Sequence, residues 1–382
     1  MNVLKLCLWA LLLYLSNWSA LYAQDPTFSQ YFAAPLHLNP ALTGFQGGTT
    51  VSMNYRDQWF RVAGRDAKFI TQSIAADVEM PCIQSAFGVV YLDNVEGEGN
   101  YRWQSTGLSY AWRSRTDENN LYNDDFEISL GMRGTYNWRS LDWRQLTFSD
   151  QLDPIHGVIG PTALNRPDDL RSGGRFFDFD AGGVFLFKHR GGRNRITVGA
   201  ALNHLVRIDN SIQQYEDTLP IRTTVHASYV YNVRFGGISG KGHSYDLVPM
   251  VKMDLQRSYR ASGLNPGNGY TYRSIMYGMG FSSRDNPGIW GGAWLNTRNG
   301  FPEGGNISSL ILMLGTEFGN YPKLGQATNT YRFGVSYDYN LSGLRSDGGG
   351  TIEASLIINF ANATLLNCNR PFGRGVPCPK FN

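Results

Sequence analysis

The chain has 382 residues, of which 42% are hydrophobic, 13% aromatic and 17% charged, with 44 glycines, 16 prolines and a formal net charge of +3. The aromatic content excludes a disordered chain, the lack of a G-X-Y period excludes collagen, and singly scattered cations exclude the basic stripe of a nucleic-acid binder. Past the amino terminus no apolar run nears the ~20 residues of a helical span, so a membrane-spanning chain of this composition must cross as strands.

The amino terminus reads as a secretory signal peptide. Met1-Asn2 and Lys5 precede an apolar core from Leu6 to Leu15, and Ser19, Ala20 and Ala23 give the small-residue context for cleavage after Ala23. Cys7 leaves with residues 1–23, so the mature chain carries Cys82, Cys368 and Cys378. An oxidising compartment favours one disulfide and one free thiol among them.

Residues 24–48 form an irregular segment in which Phe28, Tyr31, Phe32, Leu36, Leu38 and Leu42 are interspersed with Pro26, Pro35 and Pro40. Prolines at that spacing forbid a continuous helix or a paired central strand. Such a segment has to be held, either inside the body formed by the rest of the chain or against a periplasmic partner. Phe28, Tyr31 and Phe32 are candidate partner-binding residues on the second placement.

From residue 49 the dominant signal is a period of two. Val51, Met53, Tyr55 and Trp59 alternate with Ser52, Asn54, Arg56 and Gln58. The pattern returns in Phe126, Ile128, Leu130, Met132, Tyr136 and Trp138, in Tyr331, Phe333, Val335, Tyr337 and Tyr339, and in Ile352, Ala354, Leu356, Ile358 and Phe360. Segments of this kind fall at 49–59, 67–78, 83–92, 101–113, 125–138, 175–188, 194–204, 220–234, 244–255, 270–282, 287–297, 306–319, 330–341 and 350–360. Each is near the ~9–11 residues of a tilted transmembrane strand, which predicts an all-β, transmembrane antiparallel β-barrel of about 14 strands over 49–360, of outer-membrane type.

With the amino terminus in the periplasm, the long connections 139–174, 205–219 and 256–269 fall outside, and Glu79–Cys82, 189–193 and 283–286 are short periplasmic turns, as barrel asymmetry requires. Connections 115–124, 235–243 and 320–329 are longer than that rule expects. A soluble sandwich would show the same alternation. Trp59, Trp103, Trp112, Trp138 and Trp143, at or near strand ends, favour the aromatic girdles of a membrane barrel. No blade-length repeat supports a propeller. The mean hydropathy of −0.30 fits strands with polar alternate positions and polar loops.

The outer loop 139–174 carries Leu146, Phe148, Leu152, Ile155, Val158 and Ile159 among Asp150, Asp153, Asp168 and Asp169. Apolar side chains in an outer loop must fold over the lumen or meet a partner, so Leu146, Phe148, Asp150, Leu152 and Asp153 are candidate partner-binding residues. The topology puts Cys82 in a periplasmic turn and Cys368 and Cys378 in a periplasmic tail, 361–382, where any two can pair. A Cys368–Cys378 bridge closes a short local loop; a bridge from Cys82 to the tail is the alternative.

Signals of chemistry are weak. The six histidines show no His-Glu-x-x-His spacing, and neither a Gly-x-Ser-x-Gly elbow nor a phosphate-binding loop is present. Asp93, Glu96 and Glu98, and Asp117, Glu118, Asp124 and Asp125, do not match a calcium loop and read as solvated turn carboxylates. No catalytic residue, metal site or cofactor is expected, and the chain is not expected to be an enzyme.

Longer motifs carry a resemblance. They are residues 24–44, from Gln24-Asp25-Pro26 through Asn39-Pro40-Ala41-Leu42-Thr43-Gly44, then Asn54-Tyr55-Arg56-Asp57-Gln58-Trp59, Leu146-Thr147-Phe148-Ser149-Asp150-Gln151-Leu152-Asp153, Gly199-Ala200-Ala201-Leu202-Asn203-His204-Leu205, Tyr331-Arg332-Phe333-Gly334-Val335-Ser336-Tyr337-Asp338 and Ile352-Glu353-Ala354-Ser355-Leu356. In this order, over essentially the whole mature chain, they resemble the PorP/SprF family of outer-membrane proteins associated with type IX secretion and gliding motility. Ala34 departs from the Asn that commonly precedes this proline in the family. The resemblance implies a barrel in the bacterial outer membrane, in contact with its lipid. Its implied partner is a secreted cargo or adhesin, recognised through a C-terminal sorting domain, with periplasmic secretion or gliding components as further partners. The expected function is to help export that cargo or anchor it at the surface. A passive porin-like channel for small solutes is the alternative.

Overall fold

The computed structural model describes residues 25–61, 68–114, 125–153, 155–158, 160, 174–189, 194–206, 219–235, 243–258, 270–283, 287–299, 306–319, 329–341, 349–361 and 363–365. The expected signal peptide, the greater part of the tail with Cys368 and Cys378, and the long connections 115–124, 236–242 and 320–328 lie outside the described residues.

The period of two becomes a closed antiparallel barrel of 14 strands. Its strands are β1 (Thr49–Gln58), β2 (Lys68–Met80), β3 (Ser85–Gly97), β4 (Tyr101–Ser114), β5 (Asp125–Ser140), β8 (Arg175–His189), β9 (Asn194–Asn203), β10 (Arg222–Phe235), β11 (His243–Ser258), β12 (Tyr270–Ser283), β13 (Gly288–Asn299), β14 (Asn306–Gly319), β15 (Thr330–Asn340) and β16 (Thr351–Phe360). The intervening β6 (Leu152–Asp153) and β7 (Gly157–Val158) form a separate two-stranded ladder in the loop between β5 and β8. β1 closes on β16, in register from Thr49↔Phe360 to Gln58↔Thr351. Closure leaves no sheet edge, as hydrocarbon requires.

The greasy face points outward and the polar face inward. In β1, Ser52, Asn54 and Arg56 are buried while Met53 and Tyr55 are exposed; in β16, Glu353 and Ser355 are buried while Ile352 is exposed. Strand boundaries agree with the sequence expectation within a few residues, except that β3 continues to Gly97. There the apolar alternation gives way to Asp93, Asn94 and Glu96, and the hairpin is held instead by Arg102, whose Nη2 lies 2.6 Å from Asp93 Oδ2.

Two expectations need correction. Trp112 and Trp138 sit on the outward face near strand ends, as a girdle does, but Trp103 points into the lumen and donates to Asn137 Oδ1 at 3.0 Å. The inner face is also not uniformly polar: Trp290 and Trp294 of β13 and Ile311 and Met313 of β14 are buried inside, forming an apolar strip. Cross-strand glycines make room for it. A Cβ at Gly315 or Gly334 would collide with the Trp290 ring.

Residues 25–47 lie inside the barrel. Short turns carry them, Tyr31–Ala33, Pro35–Leu38 and Pro40–Leu42, the last two begun by a proline at the first helical position, where its missing N–H is harmless. Asn39 caps the last turn by accepting from Ala41 N at 2.9 Å. Tyr31, Leu38, Ala41 and Leu42 join the strip in one apolar cluster, and Phe32 stands edge-on to Trp290 with ring centroids 5.5 Å apart. Cys82, in the Pro81–Ile83 turn at the opposite mouth from the long loop, is disulfide-bonded, and its partner lies outside the described residues.

Met132 is 63% exposed on the outward face at mid-strand. Met132→Arg is expected to destabilise the barrel by about 2–4 kcal/mol in lipid vesicles, the cost of a cation on the lipid face near the bilayer midplane. Equilibrium denaturation against an outward-facing Met132→Leu control measures it.

Candidate functional site

Two regions stand out: the packed lumen, and the mouth from which the loop 141–174 emerges. Residues 25–47 enter from the opposite mouth, where Gly47 and Gly48, both at positive φ, sit beside Glu79 and Phe360. They run inward so that Asp25 ends beside His204 and Arg222, which flank the connection between β9 and β10.

A buried cluster faces residues 29 and 30. Arg56 Nη1 lies 3.2 Å from Asp338 Oδ2 and 3.1 Å from Glu353 Oε2, with all three side chains nearly inaccessible. One guanidinium faces two carboxylates, so the pair needs further donors. Residues 29 and 30 supply them: Ser29 N and Gln30 N each donate to Glu353 at 2.8 Å, and Ser29 Oγ donates to Asp338. Removing one member of such a cluster leaves an uncompensated buried charge, which typically costs about 3–5 kcal/mol.

A second cluster holds the outer end. His204 takes Asp25 Oδ2 on Nε2 at 2.7 Å and Asp178 Oδ2 on Nδ1, and Arg222 Nη1 lies 3.1 Å from Asp25 Oδ2. Neighbouring Asp180 takes Arg133 Nε at 2.7 Å, and Arg133 also donates to Leu36 O of the inserted segment. Burial opposes the charge on His204, yet the Asp25 carboxylate, hydrogen bonds to Asp178 and Asp25 and the Asp178 charge lift it to about 9. Burial would likewise raise Asp25, but His204 and Arg222 overcome it and hold Asp25 below the usual carboxylate range. His37, by contrast, is pushed down to about 3, first by burial and then by Arg133 and Arg222. Asp178, Asp180 and His204 come together at metal-ligand spacing. Both ring nitrogens of His204 and the Asp180 carboxylate are already committed to protein partners, so the group is an ion-pair network. Among the described residues nothing else of that spacing occurs.

The outer loop leans on the barrel rim. Asp142 N donates to Gly99 O at 2.9 Å, Leu146 covers Gly99, and Phe148 stacks on Trp143 with centroids 6.4 Å apart. At its base Arg139 N donates to Gly174 O, and the Arg139 guanidinium sits 4.4 Å from the Trp103 ring and 4.6 Å from the Phe176 ring. Beyond these braces the loop presents the β6–β7 ladder, with Leu152 54%, Ile155 86% and Val158 62% exposed. Asp153 folds its own turn, accepting from Ile155 N and His156 N at 2.8 Å, and Asp150 is exposed.

The sequence candidates therefore separate. Leu152, Asp150 and Asp153 share one exposed tip, while Leu146 and Phe148 brace it. Phe28 and Tyr31 are buried in the lumen and Phe32 is half-buried there, so these three anchor the inserted segment and present no docking face. Sequence reasoning missed Asp25, His204, Arg222, Arg56, Asp338 and Glu353 as a set. The signal available was charge on the polar face of strands that cross a membrane, where ions without partners are costly.

A family model described as "Type IX secretion system membrane protein PorP/SprF" matches residues 20–358. The chain belongs to the PorP/SprF family. It is an outer-membrane β-barrel of type IX secretion. No curated protein matches the sequence. Among solved structures, a FadL homologue from Pseudomonas aeruginosa is 11% identical with a TM-score of 0.38, aligned over 84% of this chain and 91% of its own. The CymD monoaromatic hydrocarbon channel is 13% identical with a TM-score of 0.36, over 85% and 91%. The siderophore receptor PirA from Acinetobacter baumannii is 12% identical with a TM-score of 0.32, over 78% and 44%.

The clamp on Asp25 has a defined pH window. A raised histidine stabilises the fold fully below its ordinary value and loses that contribution as pH rises through about 9. A lowered Asp25 contributes above its ordinary value of 3.8 and loses it as pH falls further. Thermal unfolding in detergent is expected to show a midpoint that declines between about pH 6.5 and 9 and levels off above that. In His204→Gln the decline over that interval should be flattened; an equal decline in both proteins contradicts the assignment.

Proposed function

We propose that this barrel binds a secreted protein of the type IX pathway at its outer mouth, through that protein's C-terminal sorting domain, and helps to export it or hold it at the surface. The observation that carries this reading is the braced outer loop, whose tip keeps Leu152, Ile155 and Val158 in solvent. Exposed apolar side chains on an ordered support are costly unless something covers them. The loop is fixed at its base by Arg139 and at its side by Gly99, so the tip is presented on a rigid scaffold. Polar groups around the tip, Asp150 and Asp153, suit a rim that gives register while the apolar centre gives affinity.

The porin-like alternative is disfavoured by the occupied lumen, where residues 25–47 pack from one mouth to the other. The two readings separate in one experiment. Mild-detergent purification from the native cell, followed by mass spectrometry, is expected to recover a secreted protein together with the wild-type barrel. Replacing Leu152, Ile155 and Val158 by Asp should lower that recovery about tenfold or more, since burying one such side chain is worth roughly 1.5–3 kcal/mol. Unchanged recovery, together with steady single-channel conductance of the wild type in planar bilayers, contradicts the proposal and supports the channel.

A further inference from the structure

We infer that the lumen is a receptor for a proline-containing polypeptide segment folded in short turns, that residues 25–47 are its occupant in cis, and that a segment of another chain can take the same seat. The first ground is what the wall reads. Its side chains bind main-chain groups of the inserted segment: Glu353 takes Ser29 N and Gln30 N, Asn54 donates to Ala33 O at 3.1 Å, Arg133 donates to Leu36 O, Ser129 Oγ donates to Ala41 O at 2.6 Å, and Asp77 takes Gly44 N. Main-chain recognition along a whole segment is peptide-receptor chemistry: it supplies affinity that does not depend on side-chain identity.

Specificity comes from pits. Gly131 and Gly182 face inward, and a Cβ there would collide with the Pro40–Ala41 backbone and the Asn39 side chain respectively. Asn39 fills its pit, donating to Gly183 O and Ala200 O at 3.1 Å. A segment with Asn-Pro at this point fits the wall.

The second ground is unused capacity. Among the described residues, both polar atoms of the Asn203 amide, the indole nitrogens of Trp290 and Trp294, and Asn54 Oδ1 are buried in the lumen with no hydrogen-bond partner. A permanently sealed core ordinarily satisfies such groups. Here the cis segment leaves donors and acceptors on the wall for which another polypeptide can supply partners. The segment is joined to the barrel through Gly47 and Gly48, next to exposed Gln46. This inference deepens the partner-binding reading by adding the lumen to the loop; lumen variants and loop variants test the two separately.

The test uses the full chain with a protease recognition sequence inserted after Gln46, cut after purification in detergent. A fluorescent synthetic peptide of residues 24–47 is then added and followed by anisotropy. Saturable uptake is expected, competed by unlabelled peptide. It should also be competed, within about tenfold, by a peptide that keeps Ser29-Gln30, the prolines and Asn39 but has alanine or serine elsewhere. Glu353→Gln should weaken uptake roughly tenfold or more, as for loss of charge-assisted hydrogen bonds, whereas Leu152→Asp should leave it unchanged. If the cut segment stays bound until the barrel unfolds, if no peptide enters, or if only the exact native sequence competes, the inference is overturned.

Discussion

The constraint on which the structure depends is volume. A barrel of about eight strands is filled by its own inward side chains, whereas wider ones leave space that only water, a loop or a plug can occupy. This one has 14 strands and answers with residues 25–47. A polypeptide inside a barrel brings its own backbone N–H and C=O groups, each needing a partner. The polar inward positions of the strands are therefore also the hydrogen-bonding complement of the inserted segment, and the outward apolar positions are left to lipid.

Electrostatics and packing divide the lumen between them. One side, built from β13 and β14 with Met276 of neighbouring β12, is apolar, and its cluster continues through Tyr31, Leu38, Ala41 and Leu42 to Val184 of β8, five strands from β13. Elsewhere the wall is ionic, with Arg56, Asp338 and Glu353 gripping residues 29 and 30, and Arg222 and His204, itself paired with Asp178, gripping Asp25. Buried ion pairs are weak evidence of stability, because desolvation offsets their attraction. Their better-supported role is register: ionic grips at two levels fix how far the segment reaches toward the outer mouth. At the level of Asp25 the Arg139 guanidinium, at the base of the 141–174 loop, also helps hold the Asp25 carboxylate below its usual range.

Most of the barrel was legible because lipid makes the alternation strict. Phe126 to Trp138 and Tyr331 to Tyr339 could be phased without a structure, and their outward faces are as expected. What escaped sequence reasoning was the inside, where no solvent enforces a pattern. Trp103, Trp290 and Trp294 look like girdle or packing residues in sequence; Trp290 and Trp294 become lumen residues only once the glycines facing them are known, and Trp103 only once its bond to Asn137 is. The irregular, proline-broken segment was recognisable as something held, but its partners are scattered from Arg56 to Glu353, far apart in the chain and joined only by closure. In the 141–174 loop, Leu152 was identified as a contact residue and is exposed; Phe28 and Tyr31 were contact candidates only if their segment docked on a periplasmic partner, and the segment takes the other of its two placements, inside the barrel.

The central claim is that residues 25–47 sit in the lumen of the folded protein in the membrane. Thr43 Oγ1 lies 2.6 Å from Ser109 Oγ on the inner face of β4, which makes this pair a direct reporter. With both replaced by cysteine, intact cells analysed by non-reducing peptide mapping should show a Cys–Cys crosslink between positions 43 and 109 in nearly all of the protein, formed without added oxidant. A barrel of normal abundance and heat-modifiability in which the two thiols stay uncoupled would contradict the account.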